Sequence, residues 1–158
     1  MTTEPTDISA DTSERDRPVI DEASVLGRNK GILLAALMKG GANAATATYV
    51  GSGDSGSVED VSVEMPTDIP FDLAALITVF AERSVFEDGR WHTSIIEQEE
   101  SVEQALLDFA DAAVDLVHGG WENNDGGSGR VIFDSQGGTV RIEHTAYYTD
   151  SDYEETTL

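Results

Sequence analysis

The sequence predicts a single α+β domain in which helices cover an antiparallel sheet. Two observations support this fold class: apolar residues recur at helical spacing in separate segments, and short runs rich in β-branched residues lie between them, next to glycine-rich turns. About three helices and four strands follow, in the order αββα(β)αββ. We place the domain at residues 21–149, between a tail (1–20) expected to be disordered and an acidic C-terminus (150–158) expected to fray.

Three segments have the apolar spacing of helices: residues 22–39, residues 71–84 and residues 102–118. The third is the clearest, because Ser101 and Gln104 form a capping-box pattern at its start and Gly119 follows its end. The predicted strands are Ala45–Val50, a run from Val58 to Met65, a short stretch at Trp91–Ile96, Arg130–Asp134 and Thr139–Tyr147. The first two and the last two strands are expected to form hairpins.

The charge balance is strongly acidic, with 31 Asp and Glu against 9 Lys and Arg and a formal net charge of −22. Disorder explains the acidic tail, and a nucleic-acid mimic would need acids arrayed like phosphates. Adaptation to concentrated salt is the explanation we favour, because an acidic, lysine-poor surface stays hydrated and salt screens its self-repulsion. Binding to a nucleic-acid backbone is disfavoured, because few cations are present to neutralise phosphates.

The sequence contains no cysteine, which excludes disulfides and thiolate zinc sites. No apolar run approaches the length of a membrane span, and the polar N-terminus lacks the features of a signal peptide. The sequence therefore predicts a cytoplasmic protein with no membrane association.

The first candidate site is the segment Gly51–Asp60, which we call the first glycine loop. Asp54 lies among three glycines, and Tyr49 comes just before them. The density of oxygen donors suits a hard cation such as Ca²⁺ or Mg²⁺. A hairpin turn built from ordinary turn residues is the alternative.

The second candidate site is the segment Gly119–Gly129, the second glycine loop, which follows the clearest predicted helix. Between its glycine pairs it contains Trp121, Glu122, Asn123, Asn124 and Asp125. Their oxygen atoms suit a divalent cation or a polar ligand, although the spacing is not that of an EF-hand. The alternative is that Asn and Asp stabilise turns while the Trp121 side chain packs in the core.

The three histidines, His92, His118 and His144, are isolated and form no H-x-x-x-H pair, so the sequence does not predict a zinc enzyme. His144 follows Glu143 in a predicted strand. Neighbouring strand residues point to opposite faces, so only one of these two side chains can join a given site.

The strings YVGSGDSGSVEDV and HGGWENNDGGSGRVIFD, followed by TVRIEH, resemble a family of small domains of unknown function in bacterial and archaeal genomes and mobile elements. The resemblance covers about residues 45–144. It implies no activity, but it implies that the two loops belong together. The residues it marks are Tyr49, Asp54, Trp121, Glu122, Asn123, Asn124 and Asp125.

Three functions remain open. The favoured one is a binding or accessory module whose two loops bind a divalent cation or a protein partner without chemistry. A metal-dependent hydrolase or nuclease-like enzyme would use Asp54, Glu122 and Asp125 as metal ligands, with His118 or His144 as acid or base. The third is an acidic nucleic-acid mimic or inhibitor, which requires the acids to be concentrated on one face.

Overall fold

The computed structural model describes residues 20–52, 55–119, 126–147 and 151–158. Within these ranges the chain forms two helices and seven strands: α1 Val25–Lys39, β1 Ala44–Ser52, β2 Ser55–Glu64, β3 Leu76–Glu87, β4 Arg90–Ser101, α2 Val102–Val117, β5 Gly127–Asp134, β6 Thr139–Tyr147 and β7 Ser151–Thr157. One antiparallel sheet has the order β2-β1-β5-β6-β7, and β3 and β4 form a separate antiparallel hairpin. The mixed fold with antiparallel sheets is confirmed, whereas the prediction of about four strands and three helices is wrong, because the chain is richer in strands.

The first and third predicted helices are present as α1 and α2. The Ser24 hydroxyl accepts a hydrogen bond from the Gly27 amide at the start of α1. At the start of α2, the Ser101 hydroxyl accepts one from the Gln104 amide at 3.1 Å. The Gln104 side chain donates to Asp108 instead of returning to the Ser101 backbone, so only half of the capping box forms.

The helix predicted at residues 71–84 is wrong, because most of this segment belongs to β3. Its apolar residues suit either structure, but the β-branched sequence around Ile77 and Val79 favours a strand, and β3 pairs with β4 along its whole length. Asp88 and Gly89 join these strands with φ values of 54° and 79°, as a type I′ turn requires. An Asp-Gly pair is typical of such a hairpin, although the prediction for this segment does not use it.

The core lies between the helices and one face of the five-stranded sheet. Alternate residues of the central strands are buried on that face, among them Ala45, Ala47, Val131, Phe133, Val140 and Ile142. Phe109 of α2 packs on Phe133 of β5, with ring centroids 5.4 Å apart. The small side chains of β1 leave room for the larger residues of α2 and β5.

The C-terminal residues 151–157, which were expected to fray, form β7 against β6. Leu158 is buried, its amide donates to the Val140 carbonyl at 2.7 Å, and its own carbonyl accepts a hydrogen bond from Lys30 Nζ. At the other end Ile20, assigned to the tail, packs in the core, whereas the rest of the 1–20 segment lies outside the described residues. No helix in the described ranges has the length and hydropathy needed to cross a membrane.

Candidate functional site

The start of the first glycine loop and the C-terminal part of the second lie at the same end of the five-stranded sheet. Gly51 of β1 lies directly opposite Gly127 of β5. The first glycine loop is shorter than expected, because Ser52 pairs with Ser55 and leaves only two residues between the strands. The second begins after α2, and its last three residues belong to β5.

Six of the seven residues marked as ligand candidates lie outside the described residues: Asp54, Trp121, Glu122, Asn123, Asn124 and Asp125. Tyr49 is the exception. The side chains around Tyr49 are therefore the part of the candidate site that the described residues contain.

Four residues on neighbouring strands form a row across the sheet. The strand register pairs Tyr49 of β1 with Gly129 of β5, Gly129 with His144 of β6, and His144 with Glu154 of β7. On the β2 side, Thr48 pairs with Asp60 and Tyr49 with Val58, so one residue of β2 bulges beside the row. Bulges are common next to functional sites, because they redirect side chains.

Tyr49 and His144 are joined by a hydrogen bond that passes over the intervening strand. The Tyr49 hydroxyl lies 2.6 Å from His144 Nδ1, and both residues are buried. Gly129 lies between them, and a Cβ atom at this position would be 2.5 Å from the Tyr49 hydroxyl. Only glycine therefore leaves the space that the phenol ring occupies.

A second glycine borders the other edge of the His144 ring. A Cβ atom on Gly127 would lie 3.1 Å from His144 Cε1, 3.3 Å from Nε2 and 2.8 Å from the Thr145 carbonyl. Gly127 thus borders this edge of the imidazole with backbone alone, which allows close approach of another group.

His118, at the C-terminal end of α2, stacks on His144. The ring centroids are 4.1 Å apart and the ring planes differ by 15°. His118 Nδ1 lies 3.8 Å from the exposed Glu154 carboxylate. His118 Nε2 is buried and has no hydrogen-bond partner among the described residues. Tyr49, His144 and His118 together are called the Tyr–His cluster below.

Burial sets the protonation of the Tyr–His cluster. It raises the pKa of Tyr49, so the phenol keeps its proton. Burial lowers the pKa of His118 against the opposing effect of Glu154, and it lowers the pKa of His144 together with the neighbouring His118. Both imidazoles are therefore neutral near pH 7. We assign the phenol as the donor to His144 Nδ1, which places the His144 proton on Nε2.

Glu143 lies on the opposite face of the sheet from His144, as the alternation of strand residues requires. Its carboxylate pairs with Arg130 at 2.6 Å and with Arg141 at 3.5 Å. The hydrogen bond from Arg130 lowers the pKa of Glu143, against a smaller opposing effect of burial. This ion-pair group stands apart from the Tyr–His cluster.

The sequence marked Tyr49, and it named His118 and His144 only as possible acids or bases. It did not predict that these three side chains meet, and it missed the part that Gly129 plays. The described part of the chain contains no group of three or more His, Asp or Glu side chains placed to hold a metal ion.

Comparison with known proteins matches the chain to a protein family. No curated protein and no solved structure matches the chain significantly. A family model that carries no functional description matches residues 25–158, which include the whole Tyr–His cluster and both glycine loops. The chain therefore belongs to DUF6878, a family of unknown function.

Proposed function

We propose that this chain is a non-enzymatic binding module and that a divalent cation binds at the glycine-loop end of the five-stranded sheet. The observation that carries the proposal is the register pair Gly51–Gly127, because it brings the start of the first loop beside the C-terminal part of the second. A site made from both loops would combine oxygen donors that are about 70 residues apart in sequence, as hard-cation sites often require.

The Tyr–His cluster supports the same location. A buried imidazole nitrogen without a partner costs about 1–3 kcal/mol, so a group that satisfies His118 Nε2 would add stability. The described residues supply no complete metal cluster. We assign the carboxylates of the proposed site to Asp54, Glu122 and Asp125, which lie outside the described residues.

The test is a set of thermal and urea unfolding curves of the chelator-treated protein with Ca²⁺, Mg²⁺, Mn²⁺ or Zn²⁺ added. An ion that binds only the folded chain stabilises it by about 2.7 kcal/mol at 100 times its dissociation constant. We expect at least one ion to do so. We also expect Asp54→Asn and Asp125→Asn to remove most of that gain.

Asp72→Asn is the matched control, since it removes an exposed carboxylate outside both loops. It should leave the ion-dependent gain unchanged. If no ion shifts the unfolding midpoint of the wild-type chain, the cation proposal fails, and a protein partner remains the other ligand class for this module.

A metal-dependent hydrolase or nuclease-like enzyme is the second candidate. The observation that favours it is the buried Nε2 atom of His118, which has no hydrogen-bond partner among the described residues, and burial lowers the pKa of this imidazole, as a general base requires. Phosphodiester hydrolysis with each ion tests it. Activity that is lost in Asp125→Asn and reduced in His118→Gln would favour the enzyme over the binding module.

The distribution of carboxylates does not favour a nucleic-acid mimic. Acidic residues occur in α2 and in every described strand except β1, so they are not confined to one element or one sheet. We retain adaptation to concentrated salt as the proposed cause of the acidity and the cytoplasm as the proposed compartment.

A further inference from the structure

No helix or strand of the described residues covers the outer part of the β3–β4 hairpin. All residues from Glu82 to Ile95 are exposed, and they include Phe86 (59 % exposed) and Trp91 (69 % exposed), whose rings pack edge to face near the turn. An isolated two-stranded hairpin is at best marginally stable in water. This segment therefore has the properties of an arm that is completed by a partner.

One face of the arm carries two arginines that have no ion pair in the described parts of the chain. Strand alternation places Arg83, Arg90 and His92 on the same face as the buried Val79, near the turn. Glu87 is the one acidic strand residue on the outer part of this face. The chain has a net charge of −22, so two arginines without an ion pair make this short surface locally positive on an otherwise negative protein.

A complementary cavity lies at the base of the same hairpin. Its volume is about 730 Å³, and α1, α2 and the base of the β3–β4 hairpin form its walls. Its apolar lining includes Leu26, Val79, Phe109 and Leu116. Five carboxylate residues line it, with no lysine or arginine: Asp21, Glu82, Glu100, Asp108 and Asp115.

No lysine or arginine of the lining compensates these carboxylates, although Gln104 donates a hydrogen bond to Asp108. Burial raises the pKa of Glu100, and the adjacent Asp108 raises it further through its charge and a hydrogen bond. A guanidinium group placed at this pair would relieve the repulsion between them. The cavity therefore suits a cationic side chain with an apolar stem, which is the chemistry of arginine.

We propose that the chain forms a two-fold symmetric dimer in which the Arg83–Arg90 end of each arm docks on the acidic cavity of a second copy. The arm reaches about 17 Å beyond Glu82, because five residues of an extended strand each add about 3.4 Å. Two arms that run antiparallel about a two-fold axis bring each turn to the base of the other arm. The interface is then isologous and closed.

The large net charge of each copy does not prevent this contact. At about 0.15 M salt, exposed charges separated by more than about 8 Å are largely screened. Arginine and carboxylate groups in contact lie well within that distance. The apolar residues of the arm face, with Val85 exposed to 41 % and Leu116 of the cavity rim to 57 %, contribute burial that salt does not screen.

The experiment uses two full-length variants with reversed charges. Arg83→Glu with Arg90→Glu makes the arm acidic, and Asp108→Arg with Asp115→Arg replaces two of the five cavity carboxylates with cations, on the α2 wall. We expect the wild-type chain to sediment as a dimer and each variant alone to dimerise about 10- to 100-fold more weakly, because like charges then meet. An equimolar mixture of the two variants should restore the dimer, since every contact in the mixed dimer joins opposite charges.

Glu97→Arg with Glu99→Arg is the matched control. It makes the same change in net charge as the cavity variant, but strand alternation places both residues on the other face of the hairpin. Its dimerisation should equal that of the wild type. Circular dichroism establishes that each variant is folded. A monomeric wild type, or a mixture of folded variants that stays monomeric, would overturn the proposal.

Discussion

The hydroxyl of Tyr49 contacts Nδ1 of His144 at 2.6 Å although 95 residues separate them in the sequence. The contact exists because β5 lies between their strands and presents Gly129, which has no side chain, at the crossing point. The stability of the chain should therefore depend on the phenol, on the glycine and on the protonation of the imidazoles.

We expect Tyr49→Phe to lower the free energy of unfolding by about 1–3 kcal/mol, because it removes a buried hydrogen bond while it retains the ring. Urea unfolding measures the change. Tyr153→Phe is the matched control: it removes an exposed hydroxyl that donates to Glu155, and we expect a change within about 0.5 kcal/mol. Equal effects of the two substitutions would contradict the assigned importance of the buried bond.

Gly129→Ala should destabilise the chain by at least about 2 kcal/mol. The new methyl group would collide with the Tyr49 hydroxyl and with the Glu143 carbonyl oxygen, and the carbonyl is backbone that has little freedom to shift. Gly31→Ala in α1 is the comparison, because no atom lies within 4 Å of its added Cβ. There we expect a gain of up to about 1 kcal/mol from helix propensity. Thermal unfolding should therefore show a lower midpoint for Gly129→Ala and a higher one for Gly31→Ala than for the wild type.

The chain should lose stability as the pH falls below about 6.5. Burial lowers the pKa of His118 and His144 in the folded state below the value of 6.5 that histidine has in the unfolded chain. At pH values between the folded and the unfolded pKa, the unfolded chain therefore binds more protons than the folded chain. The stabilisation is complete above 6.5 and is lost as the pH falls through the folded pKa values. Urea unfolding from about pH 8 to about pH 5 measures it, in the range where histidine titrates.

Two histidine variants separate this effect from general acid sensitivity. His118→Gln should reduce the dependence on pH in that range, because one buried imidazole is removed. His144→Gln should reduce it as well, because the second buried imidazole of the cluster is removed. A pH dependence that survives His118→Gln unchanged would count against the cluster as its source.

Asn29→Ala should loosen the attachment of the β3–β4 hairpin to α1. The Asn29 side chain accepts a hydrogen bond from the Phe80 amide at 2.8 Å and donates to the Phe80 carbonyl at 2.9 Å. Loss of two such bonds costs about 1–3 kcal/mol. Hydrogen exchange should show faster exchange of the Phe80 amide. Asn29→Asp keeps an acceptor for that amide, so its exchange should change less.

Sequence patterns within one segment predicted the helices and hairpins whose stabilising contacts lie within that segment. The apolar stripe of residues 102–117 and the cap at Ser101 predicted α2, and the turn glycines predicted the hairpin of β5 and β6. The error at residues 71–84 has a different origin. Ile77 and Phe80 fit a helix face as well as a strand, and the pairing with β4 that decides between them is a tertiary contact.

The Tyr–His cluster could be predicted only in part. Strand alternation separates His144 from Glu143, and the ion pairs of Glu143 with Arg130 and Arg141 agree with it. The meeting of Tyr49 with His144 depends on the strand order β1-β5-β6, which no local pattern encodes. For the same reason no sequence pattern indicates that Gly129 is the spacer between Tyr49 and His144.

The insertion of β5 between β1 and β6 also bears on how the chain folds. The hairpins β1–β2, β3–β4 and β5–β6 are local, whereas pairing of β1 with β5 must close a long loop that contains β2, β3, β4 and α2. Loop closure of this kind carries an entropic cost before its contacts form, and non-local pairing slows folding. We therefore expect the Tyr–His cluster to assemble late. Folding intermediates that contain only the local hairpins would then lack the glycine-loop end of the sheet, where we propose that a ligand binds.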